Sequence, residues 1–326
     1  MTDLLKDKVA IVTGSGRGVG KGVAQLMAQE GAKVVVVDPG VNVDGSGEDQ
    51  SIAETVVAEI KAAGGSAVAC TESVVTMDGG EKIVQTAINE FGKLDIVVTC
   101  AGILRDRMIF NMSEQEWDDV IAVHLKGTFT VVKHASILFR QQRSGNIITF
   151  SSTSGLYGNS GQANYGAAKD GIAGLTRVVA RDMGRYGVRA NAISPSANTR
   201  MSGTVPDQAR ELRAASGITM GSAPALRGEA EDVAPFVTWL ASDQSKHVNG
   251  RVFHVTGGLV SLLNEPEPVK TISTEDRWTV EEIARVFPST IGMELYNPAP
   301  APAPSCLLYT SPSPRDGLLC RMPSSS

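Results

Sequence analysis

VAIVTGSGRGVGKGVAQLMAQ, residues 9–29, reads as a buried strand, a glycine-rich turn and a helix in direct succession. Its first five residues, Val9 to Thr13, are apolar or β-branched without alternation, the pattern of a strand covered on both faces. The same unit recurs along the chain. KVVVVD (Lys33 to Asp38) precedes a helical pattern through IAETVVAEIKAAGG, SAVAC (Ser66 to Cys70) precedes EKIVQTAINEFG, and LDIVVT (Leu94 to Thr99) follows. A helix is predicted to open at Ser113, with Glu116 in capping-box register, and to run on through HLKGTFTVVKHASILF. NIITFS, a helix from Tyr165, VRANAIS and RVFHVTGG complete the series. Strand–helix alternation of this kind predicts an α/β fold built on a single, doubly wound parallel sheet.

The pattern stops after Gly258, which sets the domain at residues 1–260. Residues 261–298 are broken by prolines and predict a short C-terminal extension with one helix, capped by Thr279 with Glu282 in register. Residues 299–326 turn to Pro, Ala and Ser, and their strings CLLYTSPSPRD and RMPSS resemble a translated sequencing-library adapter. On that reading the natural chain ends, or is truncated, near Ser305. The other reading is a disordered Pro/Ser tail. Neither assigns it a function.

Of the 326 residues, 42% are hydrophobic and 20% charged, the balance of a cytosolic globular protein. A net charge of −5 without a Lys/Arg block argues against nucleic acid as a partner. MTDLLKDKVAIVTG lacks a signal-peptide core, and no apolar run nears the ~20 residues that span a bilayer, so a cytoplasmic location away from membranes is expected. Cys70 and Cys100 sit in strand-like runs and read as buried reduced thiols, while Cys306 and Cys320 fall in the tail. No spacing suggests a metal site.

The turn TGSGRGVG (Thr13 to Gly20) sits where a Rossmann-type fold receives a dinucleotide pyrophosphate on a helix N-terminus. Its glycines follow G-x-x-x-G-x-G at Gly14, Gly18 and Gly20, with Val19 breaking the commoner G-x-G-x-x-G spacing. Arg17 lies within the turn. Asp38 ends the second strand, where an acid accepts hydrogen bonds from the adenosine ribose and repels a 2′-phosphate. A plain turn former before Pro39 is the blander reading. Arg17 could pair with a 2′-phosphate, so NAD is the expected cofactor and NADP stays open.

Tyr165 and Lys169 are one helical turn apart and share a face. A phenol ionises near pH 10 unperturbed, and an adjacent ammonium is expected to lower that value. Ser152, at the end of NIITFS, can reach the same substrate oxygen. These residues are therefore assigned catalytic roles: Ser152 holds the oxygen, Tyr165 transfers the proton and Lys169 tunes Tyr165. A Tyr-x-x-x-Lys pair alone is usually a solvated helix face; its order after Ser152 and the glycine turn makes coincidence improbable.

Thr13–Gly20, Ser152, Tyr165 and Lys169 resemble the short-chain dehydrogenase/reductase pattern over roughly residues 5–260. AGILRDR, HLKGTF, SGLYGNSGQANYGAAK and ISPSANTRM are similar to the (3R)-hydroxyacyl-CoA dehydrogenase domain of peroxisomal multifunctional enzymes type 2 and its free-standing bacterial relatives. That resemblance implies NAD-dependent oxidation of a 3-hydroxyacyl thioester, an acyl-CoA substrate, and a homodimer or homotetramer. It also implies that Cys100, Ala101 and Gly102, in place of the usual Asn-Ala-Gly, and Pro195-Ser196, in place of Pro-Gly, border the cofactor. Ser73 and Val74 are expected to line the adenine side.

His124 stands where many members carry a proton-relay Asn. It either anchors a relay water near Lys169 or caps a buried polar gap. Arg105 and Asp106 contact a CoA-type substrate or form a surface ion pair, the default for such residues. Met108–Met112 and Met201–Met220 are expected to flank the substrate mouth, the latter as a mobile lid, unless these methionines only pack. The competing activities are an NADPH-dependent 3-oxoacyl carrier-protein reductase, a hydroxysteroid or alcohol dehydrogenase, and a catalytically silent nucleotide sensor.

Overall fold

In a computed structural model of the chain, residues 3–47, 49–198, 228–295, 297 and 298 are described. The Met201–Met220 segment, the end of ISPSANTRM from Thr199 onward and the tail from residue 299 lie outside them.

The strand predicted from VAIVT is β1, Val9–Thr13, and the turn delivers helix α1, Gly18–Gln29. There follow β2 (Lys33–Val37), α2 (Ser51–Ala62), β3 (Ser66–Cys70), α3 (Met77–Phe91) and β4 (Ile96–Thr99). Next come α4 (Glu114–Ile121), α5 (Gly127–Gln142), β5 (Gly145–Phe150), α6 (Thr153–Tyr157), α7 (Ala163–Gly184) and β6 (Val188–Pro195). A two-residue pair, β7 (Ala197–Asn198) with β8 (Gly228–Glu229), precedes α8 (Ala234–Ala241), β9 (Val252–Thr256) and β10 (Leu259–Leu262).

Among the described residues, one sheet of eight strands runs β10-β9-β6-β5-β4-β1-β2-β3. All its pairings are parallel except β9 with β10. Its two faces build separate cores. Ala10, Val12, Val34 and Val36 pack with α1, α2 and α8 residues such as Met27, Val56 and Val237, whereas Val9, Ile11, Val35 and Val37 pack with Ile83 of α3 and Val131 of α5. This alternation within unbroken apolar strands is the doubly wound arrangement expected. Each such Val or Ile contributes roughly 1.5–3 kcal/mol through burial.

Three expectations need correction. The sheet does not stop near Gly258: Leu259–Leu262 adds an antiparallel edge strand beyond the boundary set at residue 260. Its alternation over four residues is too short to register as a strand in the sequence. The helix expected from Tyr165 begins at Ala163. The helix from Ser113 has the predicted capping box with Glu116, but it is not continuous, because Ala122–Lys126 widens into a π-helical turn. Such turns recur at functional sites.

The described residues divide into two units, one through Glu265 and one from Pro266. In the second, Thr279 accepts from Glu282 N at 3.2 Å and donates its own N–H to Glu282 Oε2 at 2.9 Å, capping helix α9, Val280–Val286, as predicted. Lys270 Nζ donates to Met293 O at 2.8 Å and ties the segment to itself.

Candidate active site

The glycine turn leaves β1 with Gly14 at φ +64°, and a Cβ there would stand 2.6 Å from Ala101 Cα. Only glycine permits both the turn and this approach. The loop after β4 is thereby zipped to the end of β1: Cys100 N donates to Thr13 O at 3.2 Å and Ala101 N to Thr13 Oγ1 at 3.3 Å. Thr13 thus supplies bracing at the position where Cys100 replaces an amide. Helix α1 opens at Gly18 with no capping side chain and no acid in its first turn, so its N–H groups remain for an anion.

Asp38 follows β2, and each of its carboxylate oxygens accepts one backbone N–H, from Gly40 and from Gly16, both at 2.8 Å. Lone pairs remain on both oxygens. The Arg17 guanidinium donates to Val41 O at 3.2 Å. Ser73 and Val74 lie in the turn after β3, where Thr130 Oγ1 donates to Val74 O at 2.6 Å. Pro195 ends β6, and Ser196 N donates to Val255 O at 2.9 Å.

Ser152 ends the β5 exit, where its hydroxyl accepts from Ser154 N at 3.1 Å and hydrogen-bonds with Tyr165. Lys169, one turn along α7, donates from Nζ to Phe150 O at 2.6 Å, with Nζ 5.6 Å from the Tyr165 ring centroid. The three residues assigned catalytic roles therefore meet at the carboxyl edge of the sheet. Burial pushes the Tyr165 phenol up to about 12, with the Ser152 hydrogen bond pulling the other way. The depression of Tyr165 expected from Lys169 is not found; burial instead draws Lys169 itself down to about 8. Burial likewise raises the Cys100 thiol, which stays protonated and inert.

His124 projects from the widened turn into the same cluster. Its Nε2 lies 2.7 Å from Ile103 O and 3.1 Å from Ile103 N. The contact with Ile103 O uses a proton on Nε2 and the contact with Ile103 N–H uses a lone pair there, so the tautomer sets which of the two is the hydrogen bond. Nδ1 is buried without a hydrogen-bond partner among the described residues. Burial, then the Lys169 charge, holds the imidazole down at about 3.

Asn164 went unremarked in the sequence, although it anchors the nucleus of the site. Its amide donates to Arg105 O at 3.0 Å and Glu116 O at 2.9 Å, and its Oδ1 accepts from Tyr165 N at 2.7 Å. The one available signal was a polar residue directly before the tyrosine at a helix start. Arg105 pairs with Asp119 at 3.2 Å, and Asp106 accepts from Gln162 at 2.8 Å. Met108, Ile109 and Phe110 are exposed next to Arg107, whose N–H donates to Gly161 O at 2.8 Å.

No helix among the described residues is long and apolar enough to cross a membrane. No group of three or more potential metal ligands occurs among them.

A family model described as enoyl-(acyl carrier protein) reductase matches residues 14–260. The chain is 42% identical over 257 residues to the peroxisomal multifunctional enzyme type 2 of Mus musculus, covering 78% of this chain and 32% of that protein. It is 40% identical over 254 residues to the 3-oxoacyl-[acyl-carrier-protein] reductase FabG of Staphylococcus aureus, covering 77% and 98% respectively. A crystal structure of a short chain dehydrogenase from Mycobacterium avium superposes with a TM-score of 0.75 at 42% identity, over 92% of this chain and 98% of that one.

Proposed function

The chain belongs to the short-chain dehydrogenase/reductase family, NAD(P)(H)-using oxidoreductases of CH–OH and keto groups, and on that premise we propose that it interconverts a 3-hydroxyacyl-CoA and its 3-oxoacyl-CoA with NAD(H). The observation that carries this reading is the meeting of Ser152, Tyr165 and Lys169 at the sheet edge that also bears the glycine turn and Asp38.

The cradle suits a dinucleotide. The uncapped first turn of α1 offers N–H groups to a pyrophosphate through Gly14, Arg17, Gly18, Val19 and Gly20. Asp38 would take the adenosine ribose, with Ser73 and Val74 on the adenine side. Cys100, Ala101 and Gly102 border the groove, and Pro195 and Ser196 the nicotinamide end, with Tyr165 and Lys169 beside it. The bound dinucleotide supplies the hydride acceptor or donor.

In oxidation, the Ser152 hydroxyl holds the substrate oxygen while Tyr165, as phenolate, removes the hydroxyl proton and the C–H hydride departs. In reduction the Tyr165 phenol returns that proton to the carbonyl oxygen. Lys169 is the cation beside Tyr165, although burial outweighs its pull on the resting phenol, and His124 Nδ1 holds a water through which the proton reaches solvent. The apolar lip of Met108, Ile109 and Phe110 suits an acyl chain. A cytoplasmic location and a homodimeric or homotetrameric assembly complete the reading.

A second reading, NADPH-dependent reduction of a 3-oxoacyl carrier protein, draws on the Staphylococcus aureus relative and on the phenol form that burial favours at Tyr165. Initial rates of NADH formation from a (3R)-hydroxyacyl-CoA, compared with NADP⁺ and with a Tyr165→Phe control, separate the two. Turnover with NAD⁺ that vanishes in the control supports the first. Turnover only with NADPH on an acyl carrier protein substrate supports the second, and full activity of Tyr165→Phe would sink the mechanism common to both.

A further inference from the structure

We propose that the segment following Asp38, residues 40–47, is a strap that closes over the bound dinucleotide and governs its exchange; the proposal rests on the dinucleotide reading above. The segment is held at three places. At its root, Gly40 N donates to Asp38 Oδ1 at 2.8 Å. Beside the glycine turn, Val41 O accepts from the Arg17 guanidinium at 3.2 Å. At its tip, Val43 O accepts from Leu104 N at 2.8 Å, and a Cβ on Gly45 would stand 3.2 Å from Ile103 Cδ1. Asn42 N donates to Ser46 O at 2.8 Å and turns the chain back.

The path follows from sheet order. β1 lies between β2 and β4, so a segment that leaves β2 and bonds to the loop after β4 must cross the end of β1. The glycine turn begins there. The crossing therefore passes the groove that receives the pyrophosphate, with one latch at the glycine turn and one at the loop after β4. Both latches are single hydrogen bonds to backbone carbonyls, each modest enough to open thermally. In this arrangement Arg17 serves as a latch, which withdraws its guanidinium from a 2′-phosphate. A dinucleotide entering or leaving has to wait for the tip to lift from Ile103 and Leu104.

Deleting residues 43–45 joins Asn42 to Ser46, which already touch, and removes the tip latch while sparing Arg17 and Asp38. NADH binding and release are then followed by stopped-flow fluorescence in the parent and the deletion. A strap predicts that both rate constants rise at least tenfold while the dissociation constant changes far less. Rates within twofold of the parent would overturn it. A second measurement uses the intact chain: saturating NADH should slow hydrogen exchange at the Leu104 amide at least tenfold, and unchanged exchange would count equally against the strap. A parent protein that binds neither NADH nor NADPH would remove the dinucleotide reading itself, and the strap with it.

Discussion

The imidazole of His124 stands edge-on to the Tyr165 ring, with centroids 5.1 Å apart and planes at 89°. The widened helical turn Ala122–Lys126 places it there, and its Nε2 grips the Ile103 backbone. One side chain thus joins Tyr165 to the loop that follows β4. The sequence left two roles for it, a relay anchor or a cap on a buried polar gap. In the structure Nε2 contacts the Ile103 backbone, and Nδ1 is buried without a hydrogen-bond partner among the described residues.

The imidazole should remain neutral at every pH where the enzyme works. With a folded value of about 3 against an ordinary 6.5, the unfolded chain takes up a proton that the folded chain refuses. His124 therefore withdraws stability as pH falls through 6.5 toward 3. NMR of the ring should show no protonation down to the acid transition, and His124→Asn should flatten the acid side of a stability profile. A ring that titrates near its ordinary value would contradict the burial described.

Gly102 has to be glycine because the His124 ring occupies the place of its Cβ. Gly102→Ala should cost about 1–3 kcal/mol, the usual range for overpacking, when measured by chemical denaturation. It should also slow turnover by moving the ring off Tyr165. An alanine variant with parental stability and rate would mean that the ring moves aside freely.

Lys169 gives a signature on the alkaline side. Its folded value of about 8 lies below the ordinary 10.5, so between those limits the unfolded chain holds a proton the folded chain has lost. The penalty for burying its charge is full below 8 and fades as pH rises toward 10.5. The parent should gain stability relative to Lys169→Met across that window, by about 1.4 kcal/mol per pH unit at most. Parallel profiles for the two proteins would show that Lys169 is not buried as a charge.

Asp38→Asn should weaken discrimination against NADP⁺. The amide oxygen can still accept one of the two N–H groups, but the charge that repels a 2′-phosphate is gone. The ratio of kcat/KM for NAD⁺ over NADP⁺ should fall by about tenfold, equivalent to roughly 1.4 kcal/mol. An unchanged ratio would place discrimination elsewhere.

Legibility in the sequence tracked the length of the pattern. VAIVT and KVVVV announce themselves because runs of five and four consecutive buried residues leave no alternation to confuse, and Ser113 with Glu116 forms a cap entirely within four residues. Leu259–Leu262 stayed hidden because an edge strand of four half-exposed residues is defined by its neighbour rather than by its own composition. The π-turn at His124 was equally invisible, since it answers to the packing of α4 and α5 on α7. Ser152, Tyr165 and Lys169 were readable from spacing and order. Their electrostatics were not, because burial outweighs the pairwise attraction that spacing suggests. Asn164 escaped for a related reason: its partners Arg105 and Glu116 are remote in sequence.

The central position of β1 has a consequence for how the chain is made. Val9–Thr13 leaves the ribosome before the other strands of its sheet, yet it pairs with Lys33–Val37 on one side and Ile96–Thr99 on the other. At about 5–20 residues per second, its second partner emerges on the order of several seconds later. For that interval a fully apolar strand edge of the nascent chain is open on one side, and whatever shelters it during synthesis bears on how much protein reaches the native sheet.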